Sequence, residues 1–395
     1  MKNKKTFSAK MPKGFDKYIQ FSVLALAVFG SVMVISASMT TNTTYVDLFK
    51  VGLKQVVYLC IGYIGMVFLA KKFSFDFVKR HIMWIMGLTM FFQLIPLVFP
   101  AVGGAKAWIR IPVPGFEVTL QPSEFAKIIS ILVLATYLGD QKSKVKSIGT
   151  LTKIPLFFII ACSAIIVLFQ KDVGTAVVLM GINYLVFLLP GHPVLRRWQL
   201  GFVVMIFVGL TGIVWIMTPS GIEVLQKLNI SGYQIERFQS AVNPFVYKQN
   251  GGYQLVNSLV AFVKGKWFGV GLGKSLQKYG YLPAAKTDFI LAITVEETGI
   301  AGFFVILACY LTLIVRLFAH SIRVLDEKSR MVLAGVALYL LLHFILNVGG
   351  VTALIPLTGV PLLLVSQGGS STMAVMFALG IAQNIIARSR QGAET

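Results

Sequence analysis

The residues best suited to chemistry are a few ionisable groups in a chain that is otherwise strongly apolar. The sequence has 395 residues, of which 56% are hydrophobic and 13% charged. A charged side chain in an apolar span is costly, so it marks a candidate functional position. Carboxylates can remove protons from hydroxyl groups, and basic side chains can bind phosphate. The groups in or beside apolar stretches are Glu124, Lys127, Asp172, Asp288, Glu296 and Glu297.

Asp288 opens an apolar stretch directly after Lys286 and Thr287. It could cap a helix, because a carboxylate complements the positive end of the helix dipole. It could instead act as a general base beside the cation of Lys286. In a continuous helix Glu296 and Glu297 would lie roughly 12 Å further along and point away from Asp288. We therefore expect these two glutamates to pair within the bundle.

Two further segments place charges at the start of apolar stretches. Ser123 is expected to cap a helix in which Glu124 and Lys127 share a face at i,i+3 spacing. A structural ion pair and a substrate-facing role both remain open for these two residues. Asp172 is expected in a turn or cap, and Trp108 resembles an anchor at the membrane interface.

The elements that must position these groups are apolar stretches long enough, or nearly long enough, to cross a membrane. With a mean hydropathy of +0.78, the chain is predicted to be an all-α integral membrane protein with about ten transmembrane helices. The first stretch is expected to be a retained span, since no cleavage site follows it. The ten predicted stretches are 18–38, 51–70, 82–100, 123–139, 154–170, 173–189, 199–217, 289–315, 331–356 and 372–387.

The basic residues sort by side of the membrane. One side would carry 22 of the 36 lysines and arginines and the other side 11. The positive-inside rule therefore places both termini in the cytoplasm. This gives a basic N-terminus at 1–17, a membrane domain at 18–387 and a cytoplasmic tail at 388–395. The formal charge of +21 is then mainly a topology signal, and it does not call for nucleic acid.

The expected site lies on the outer face, where the chain departs from simple spanning helices. The outer loops are 101–122 and 218–287, the second being a large loop between spans seven and eight. The Gly- and Ser-rich segment 357–371 is a possible re-entrant segment, because irregular backbone at membrane depth must be buried or line a cavity. Cys60, Cys162 and Cys309 lie inside apolar stretches and show no metal spacing. His343 stands alone in the ninth stretch, where a helix–helix contact is expected.

Several short motifs follow one another along the chain, among them Trp108-Ile109, Gln121-Pro122-Ser123-Glu124, Asp172-Val173-Gly174-Thr175, Asn243-Pro244-Phe245, Thr287-Asp288-Phe289 and Gly368-Gly369-Ser370-Ser371. In this order they resemble the SEDS family (shape, elongation, division and sporulation), with its FtsW and RodA branches. The resemblance covers residues 15–390. It is closer to FtsW, because Gly252-Tyr253-Gln254-Leu255-Val256-Asn257-Ser258 reads like the division branch.

The resemblance implies a peptidoglycan glycosyltransferase at the outer face of the bacterial cytoplasmic membrane. Such an enzyme polymerises lipid II into β-1,4 glycan strands with inversion, and undecaprenyl pyrophosphate leaves. The FtsW branch implies septal cell-wall synthesis. The implied partners are lipid II, the nascent strand, a class B penicillin-binding protein and other divisome proteins. A lipid II flippase and a non-catalytic divisome scaffold are the alternatives.

The resemblance also implies roles for individual residues. Asp288 is the implied catalytic base. No cofactor is certain, a divalent cation (Mg or Mn) could bridge carboxylate and pyrophosphate, and any metal ligands are unknown. Ala107 and Lys286 depart from the usual arginine and histidine of the family, which alters the local charge, and Lys171 replaces a usual proline. The implied substrate-binding residues are Trp108, Glu124, Lys127, Asp172, Arg237, Lys286, Lys106, Arg110 and Ser370.

Overall fold

The computed structural model describes residues 10–113, 116–139, 147–227, 232–248 and 252–392. Most of the predicted basic N-terminus, residues 140–146 between two predicted stretches and the last three residues of the predicted tail lie outside these ranges. The described helices are α1 (Lys17–Ala37), α2 (Tyr45–Lys72), α3 (Phe75–Leu94), α4 (Pro122–Leu138), α5 (Ile148–Ala164), α6 (Val173–Phe187), α7 (Arg196–Ile216), α8 (Pro219–Lys227), α9 (Gly232–Val242), α10 (Gly252–Gly265), α11 (Ile290–Arg323), α12 (Glu327–Val351) and α13 (Gly369–Arg390).

Each of the ten predicted apolar stretches contains one of the long helices. Eight helices in the described part of the chain are long and apolar enough to cross a membrane. Helix α5 is one of the eight because the π-helical stretch Ile165–Phe169 continues it to 22 residues. The other two, α4 and α6, are shorter at 17 and 15 residues. The chain is therefore a helical multi-pass membrane protein, as predicted. Its orientation and the number of crossings stay predictions.

The predicted outer loops contain secondary structure that the sequence analysis did not anticipate. In loop 101–122, strands β1 (Ile109–Val113) and β2 (Phe116–Leu120) form an antiparallel hairpin in which Ile109 pairs with Leu120. The long segment between α7 and α11 carries α8, α9 and α10. Burial of α10 against α11 gives this segment a fixed base on the bundle.

The bundle is held mainly by the packing of α2 on α13 and of α11 on α12 and α1. Helix α7 differs from the others because none of its residues is buried. Near its start, Phe202 contacts the rings of Tyr184 and Phe187, and Gln199 Nε2 donates to the carbonyl of Phe187 at 3.2 Å. The apolar side chains further along α7 are thus left for lipid contact.

Helix α11 is broken at Gly299, whose φ of +72° suits glycine. The backbone next to the break bonds to the segment after α10: the amides of Val270 and Gly271 donate to the carbonyls of Glu296 and Glu297 at 2.9 and 3.0 Å. The break follows both glutamates, which lie in the unbroken first part of α11, whereas Asp288 lies before the helix begins. Their side chains pair inside the protein, as expected.

The Glu296 and Glu297 carboxylates fix the segment after α10 on the broken helix. Glu297 Oε1 accepts from Lys278 Nζ at 2.9 Å, and both side chains are fully buried. Glu296 accepts from the hydroxyl and two backbone amides of residues 275–277. Buried charges are tolerated when they are paired and hydrogen-bonded in this way.

At the opposite end of the bundle, Asp16 joins three helices. Its buried carboxylate caps α1 and accepts from Arg316 and His320 of α11 and from Arg390 of α13. Burial alone would raise the pKa of Asp16, but the hydrogen bonds from His320 and Arg316 and the charge of Arg316 lower it to about 2. Its stabilising effect is therefore present above the ordinary value near 4 and is lost as the pH falls towards 2.

We expect Asp16→Asn to lower the thermal unfolding temperature in detergent, because it removes charge-assisted hydrogen bonds worth about 1–3 kcal/mol together. The difference from wild type should shrink as the pH is lowered from 6 to 3. Asp76→Asn, at an exposed position in the first turn of α3, is the matched control. Equal unfolding temperatures for the two variants at pH 6 would contradict the joining role of Asp16.

Candidate active site

Asp288 lies two residues before α11, at the bundle end that also carries the hairpin. The N-cap of α11 is Phe289, and no side chain caps this helix. The capping interpretation of Asp288 is therefore wrong. Its main chain is held instead by Asn347 of α12, whose Nδ2 donates to the Asp288 carbonyl at 2.8 Å. The adjacent Thr287 carbonyl accepts from Ser366 Oγ at 2.8 Å. These bonds fix the backbone around Asp288, and its carboxylate is partly exposed.

The irregular segment 352–368, between α12 and α13, forms one wall of the site. Its residues 362–366 are buried, whereas Gly359 is exposed with a φ of +70°. A Cβ placed on Gly359 would lie 3.6 Å from Asp288 Oδ2 and 3.8 Å from Arg237 Nη2. The carboxylate and the guanidinium, far apart in sequence, therefore share the space beside this glycine.

Asp172 forms the adjacent wall. It is the N-cap of α6 and accepts from the Thr175 amide at 3.0 Å, so the predicted capping role is confirmed. Its Oδ2 also accepts from Gln121 Nε2 at 3.0 Å. The backbone amide of Gln121 in turn donates to Ser370 Oγ at 3.0 Å. Ser370 thus links the start of α13 to α4 and α6, and these bonds fix Asp172 beside the site.

The electrostatics of the site favour a carboxylate that can gain and lose a proton. Burial raises the pKa of Asp288 above its ordinary value, and the negative charge of Asp172 raises it further. A hydrogen bond with Thr287 and the positive charge of Arg237 oppose this rise. Perturbation by burial together with specific charged neighbours is typical of functional carboxyl groups.

Glu124 and Lys127 form a buried layer beneath the site. Lys127 Nζ lies 2.8 Å from Glu124 Oε1, and both side chains are almost inaccessible. Tyr339 OH donates to Glu124 Oε2 at 3.4 Å, and Lys127 Nζ lies 3.2 Å from His343 Nε2. The ion pair expected from their i,i+3 spacing is confirmed. His343 is in a helix–helix contact as expected, although it is not isolated.

The remaining predicted residues lie around this centre. Lys106 is exposed, and its backbone amide donates to Gln170 at 2.8 Å. Arg110 faces Glu117 across the hairpin at 3.7 Å. Trp108 and Lys286 are partly buried, and the Lys286 carbonyl accepts from the amide of Gln367 at 2.8 Å. None of these four makes a side-chain hydrogen bond or ion pair with Asp288 among the described residues.

Sequence reasoning placed one helix start incorrectly and missed several residues. The N-cap of α4 is Gln121 rather than Ser123, since Pro122 occupies the first helical position. Gln121, Asn347 and Gly359 position the site but were not predicted. A signal was available for Asn347, because it lies four residues after His343 on one face of an apolar helix. The role of Gly359 depends on contacts across the bundle, which no local pattern reveals.

The profile of the family described as "Cell cycle protein", which comprises FtsW, RodA and SpoVE, matches residues 17–391. The chain belongs to this family. The resemblance drawn from its motifs is thereby confirmed. The match spans α1 to α13, so the site residues all lie within the family domain.

This chain aligns with similar proteins of the family over nearly the whole length of both. A probable peptidoglycan glycosyltransferase FtsW of Dichelobacter nodosus is 32% identical over 93% of this chain and 89% of its own. The stage V sporulation protein E of Bacillus subtilis is 30% identical over 95% and 98%. Among solved structures, a peptidoglycan synthase complex superposes with a TM-score of 0.71 at 23% identity, covering 96% of this chain and 99% of the other. A rod shape determining protein RodA of Thermus thermophilus gives 0.63 at 22% identity, covering 96% and 98%. The structures confirm the fold.

The donor atoms at the site do not form a ready-made metal cage. Within the described ranges, no three His, Cys, Asp or Glu side chains gather to hold an ion. Both Asp172 oxygens already accept hydrogen bonds. Mg²⁺ is commonly held by one or two carboxylates, waters and the phosphates of a substrate. A divalent cation at this site would therefore need phosphate oxygens from a ligand.

The two charged neighbours of Asp288 should shift its pKa in opposite directions. Asp172→Asn removes a negative charge and is expected to lower the pKa of Asp288, whereas Arg237→Gln removes a positive charge and should raise it. Infrared titration of the carboxyl stretch, with the Asp288→Asn spectrum subtracted, measures this directly. Asp326→Asn, at the start of α12, serves as the distant control. Shifts of the same sign, or none, would contradict the proximity of these charges.

Proposed function

We propose that this chain is a peptidoglycan glycosyltransferase that polymerises lipid II at the outer face of the bacterial cytoplasmic membrane. The observation that carries the proposal is that the Asp288 carboxylate and the Arg237 guanidinium share the space beside the exposed Gly359. A base and a phosphate-binding cation at one exposed point match the two needs of this reaction. The names of the FtsW relatives support the same activity.

The proposed reaction joins the 4-hydroxyl of the acceptor GlcNAc to the anomeric carbon of the lipid-linked MurNAc. As the new C–O bond forms, Asp288 takes the hydroxyl proton, because a neutral sugar hydroxyl is a weak nucleophile. The bond from the anomeric carbon to the pyrophosphate oxygen breaks, and undecaprenyl pyrophosphate leaves with the electron pair. Attack from the face opposite the leaving group inverts the anomeric centre and gives a β-1,4 linkage.

Arg237 is the proposed partner of the leaving pyrophosphate. Its planar guanidinium can donate two parallel hydrogen bonds to phosphate oxygens. Lys286, Lys106 and Arg110 are proposed as further cations at the rim, with Trp108 as a wall. We propose that Glu124, Lys127, Asp172 and Ser370 shape the substrate pocket through the bonds described above. Mg²⁺ or Mn²⁺ could be recruited with the pyrophosphate.

The surface beside the site suits the lipid tail of the substrate. Apolar side chains next to Asp172, at the end of α5 and along α6, are exposed, as in Phe169 at 57% and Val177 at 53%. Helix α7 does not cover them, since its described ring contacts lie near its first residues. A polyprenyl chain could therefore lie along this surface while its pyrophosphate reaches Arg237.

The proposed partner is a class B penicillin-binding protein at the division septum. The similar fold in a peptidoglycan synthase complex supports an assembly of this kind. We propose that the single helix of the partner packs on α11 and α12, where apolar side chains such as Val315 and Ile345 are exposed. Cysteine cross-linking from these two positions tests the surface, and a partner helix that cross-links only elsewhere would exclude it.

Asp288→Asn should lower the polymerisation rate about 10²–10⁴-fold without changing the unfolding temperature by more than a few degrees, because it removes the base but keeps the side-chain shape. Purified protein, with and without the transpeptidase, is incubated with lipid II and Mg²⁺, and the strands are resolved on a gel. Asp47→Asn, at an exposed position in the first turn of α2, should retain full activity. If folded wild type in an intact partner complex made no strands, the flippase or scaffold alternative would replace this proposal.

Arg237→Lys should slow polymerisation about ten- to hundredfold although the charge is kept, because an ammonium cannot reproduce the paired hydrogen bonds of a guanidinium. Arg323→Lys, at the exposed far end of α11, is the matched control. The same lipid II assay, run as initial rates, compares them. Wild-type rates for Arg237→Lys would remove this residue from the pyrophosphate site.

A further inference from the structure

His343 connects the buried Glu124–Lys127 pair to the wall of the active site. Its Nε2 lies 3.2 Å from Lys127 Nζ, and its Nδ1 lies 3.3 Å from the carbonyl oxygen of Pro361. An ammonium group only donates hydrogen bonds and a carbonyl only accepts them. Nε2 must therefore accept from Lys127 while Nδ1–H donates to Pro361. These two contacts require a neutral imidazole with its proton on Nδ1.

The carbonyl held by His343 belongs to the irregular wall of the site. Asn347, one turn further along α12, donates through Nδ2 to the carbonyl of Val360 at 2.8 Å and to that of Asp288 at 2.8 Å. One face of α12 thus holds two consecutive wall carbonyls and the backbone of Asp288. Since Gly359 is the next residue of the wall, a displacement of residues 360–361 would move the surface between Asp288 and Arg237.

The Glu124–Lys127 ion pair fixes the position of the lysine that His343 contacts. Lys127 is anchored by Glu124 at 2.8 Å, and Glu124 also accepts from Tyr339 OH. Lys127 Nζ further lies 5.8 Å from the centre of the Tyr339 ring. Among the described residues, the ring nitrogens of His343 contact this anchored lysine on one side and the wall carbonyl on the other, and its ring packs edge-on against Tyr339 at 4.9 Å between centroids. Its imidazole therefore links Lys127 of α4 to the backbone of the wall.

We propose that His343 is a positioning residue that fixes Asp288 relative to the acceptor hydroxyl by holding the 360–361 backbone against the Lys127–Glu124 pair. The inference rests on the proposed glycosyltransferase function. It does not make His343 a catalytic residue, since the residue is fully buried and lies behind the wall. A small misplacement of a reacting group can cost about 10²-fold in rate, so the effect should appear in kcat.

Two nearly isosteric replacements test the proposal. His343→Gln keeps one acceptor and one donor on its terminal amide, whereas His343→Met fills a similar volume without either. Initial rates of lipid II consumption give kcat and KM for each variant, with and without the transpeptidase, after the unfolding temperature has been measured. His81→Gln and His81→Met are the controls, because His81 bonds only within its own helix, to Phe77 at 3.0 Å, among the contacts described.

We expect His343→Met to lower kcat at least tenfold with KM changed less than threefold, and His343→Gln to stay within threefold of wild type. Equal kcat values for folded Gln and Met variants would overturn the proposal, as would a loss confined to KM. If the Met variant does not fold, a tenfold loss of kcat in folded His343→Gln would also overturn it. Wild-type protein that makes no strands would instead refute the proposed function, so the two failures are distinguishable.

Discussion

The site depends on the two hydrogen bonds that Asn347 donates to main-chain carbonyls. A segment without regular secondary structure has backbone groups that find no partner in lipid, so it can be buried only where side chains satisfy them. Asn347 does this for Val360 and at the same time holds Asp288. Ser366, from within the segment, bonds to the neighbouring Thr287 carbonyl. The placement of the proposed base is thus a consequence of how the irregular segment is kept inside the bundle.

The buried charges divide into two groups according to whether their capacity for hydrogen bonds is used. Glu297 and Lys278 satisfy each other, and Glu296 is surrounded by donors from residues 275–277. These groups hold the long loop on α11. Asp288 instead keeps a partly exposed carboxylate beside Arg237. The contrast separates structural carboxylates from the one available for proton transfer, although all three lie within ten residues of sequence.

The opposite ends of the bundle use charge differently. At the Asp16 end, two arginines and a histidine converge on one carboxylate. The hydrogen bonds from His320 and Arg316 and the charge of Arg316 lower its pKa. At the Asp288 end, burial and a second carboxylate raise the pKa and only part of the effect is cancelled by Arg237. A carboxylate with several charged hydrogen-bond donors stays ionised and stabilises the fold. A carboxylate whose burial is only partly offset by a cation can change its protonation state. This difference agrees with a site on the hairpin side of the bundle.

Much of the fold and several site residues could be predicted from the sequence because their signals are local. Apolar stretches predicted the long helices, and the i,i+3 spacing indicated the Glu124–Lys127 pair. The motifs around Asp172 and Asp288 indicated the family. Each of these depends on residues within one or two helical turns, or on motif order along the chain.

Other features were decided only by the tertiary structure. The break of α11 at Gly299 depends on backbone bonds to the segment after α10. Helix capping was one of two interpretations of Asp288, but the helix begins later and Asn347 holds the residue instead. Arg237 meets Asp288 beside Gly359 although more than fifty residues separate Arg237 from Asp288 and more than seventy separate Asp288 from Gly359. Such contacts follow from how whole helices pack in three dimensions, and no pattern of neighbouring residues encodes them.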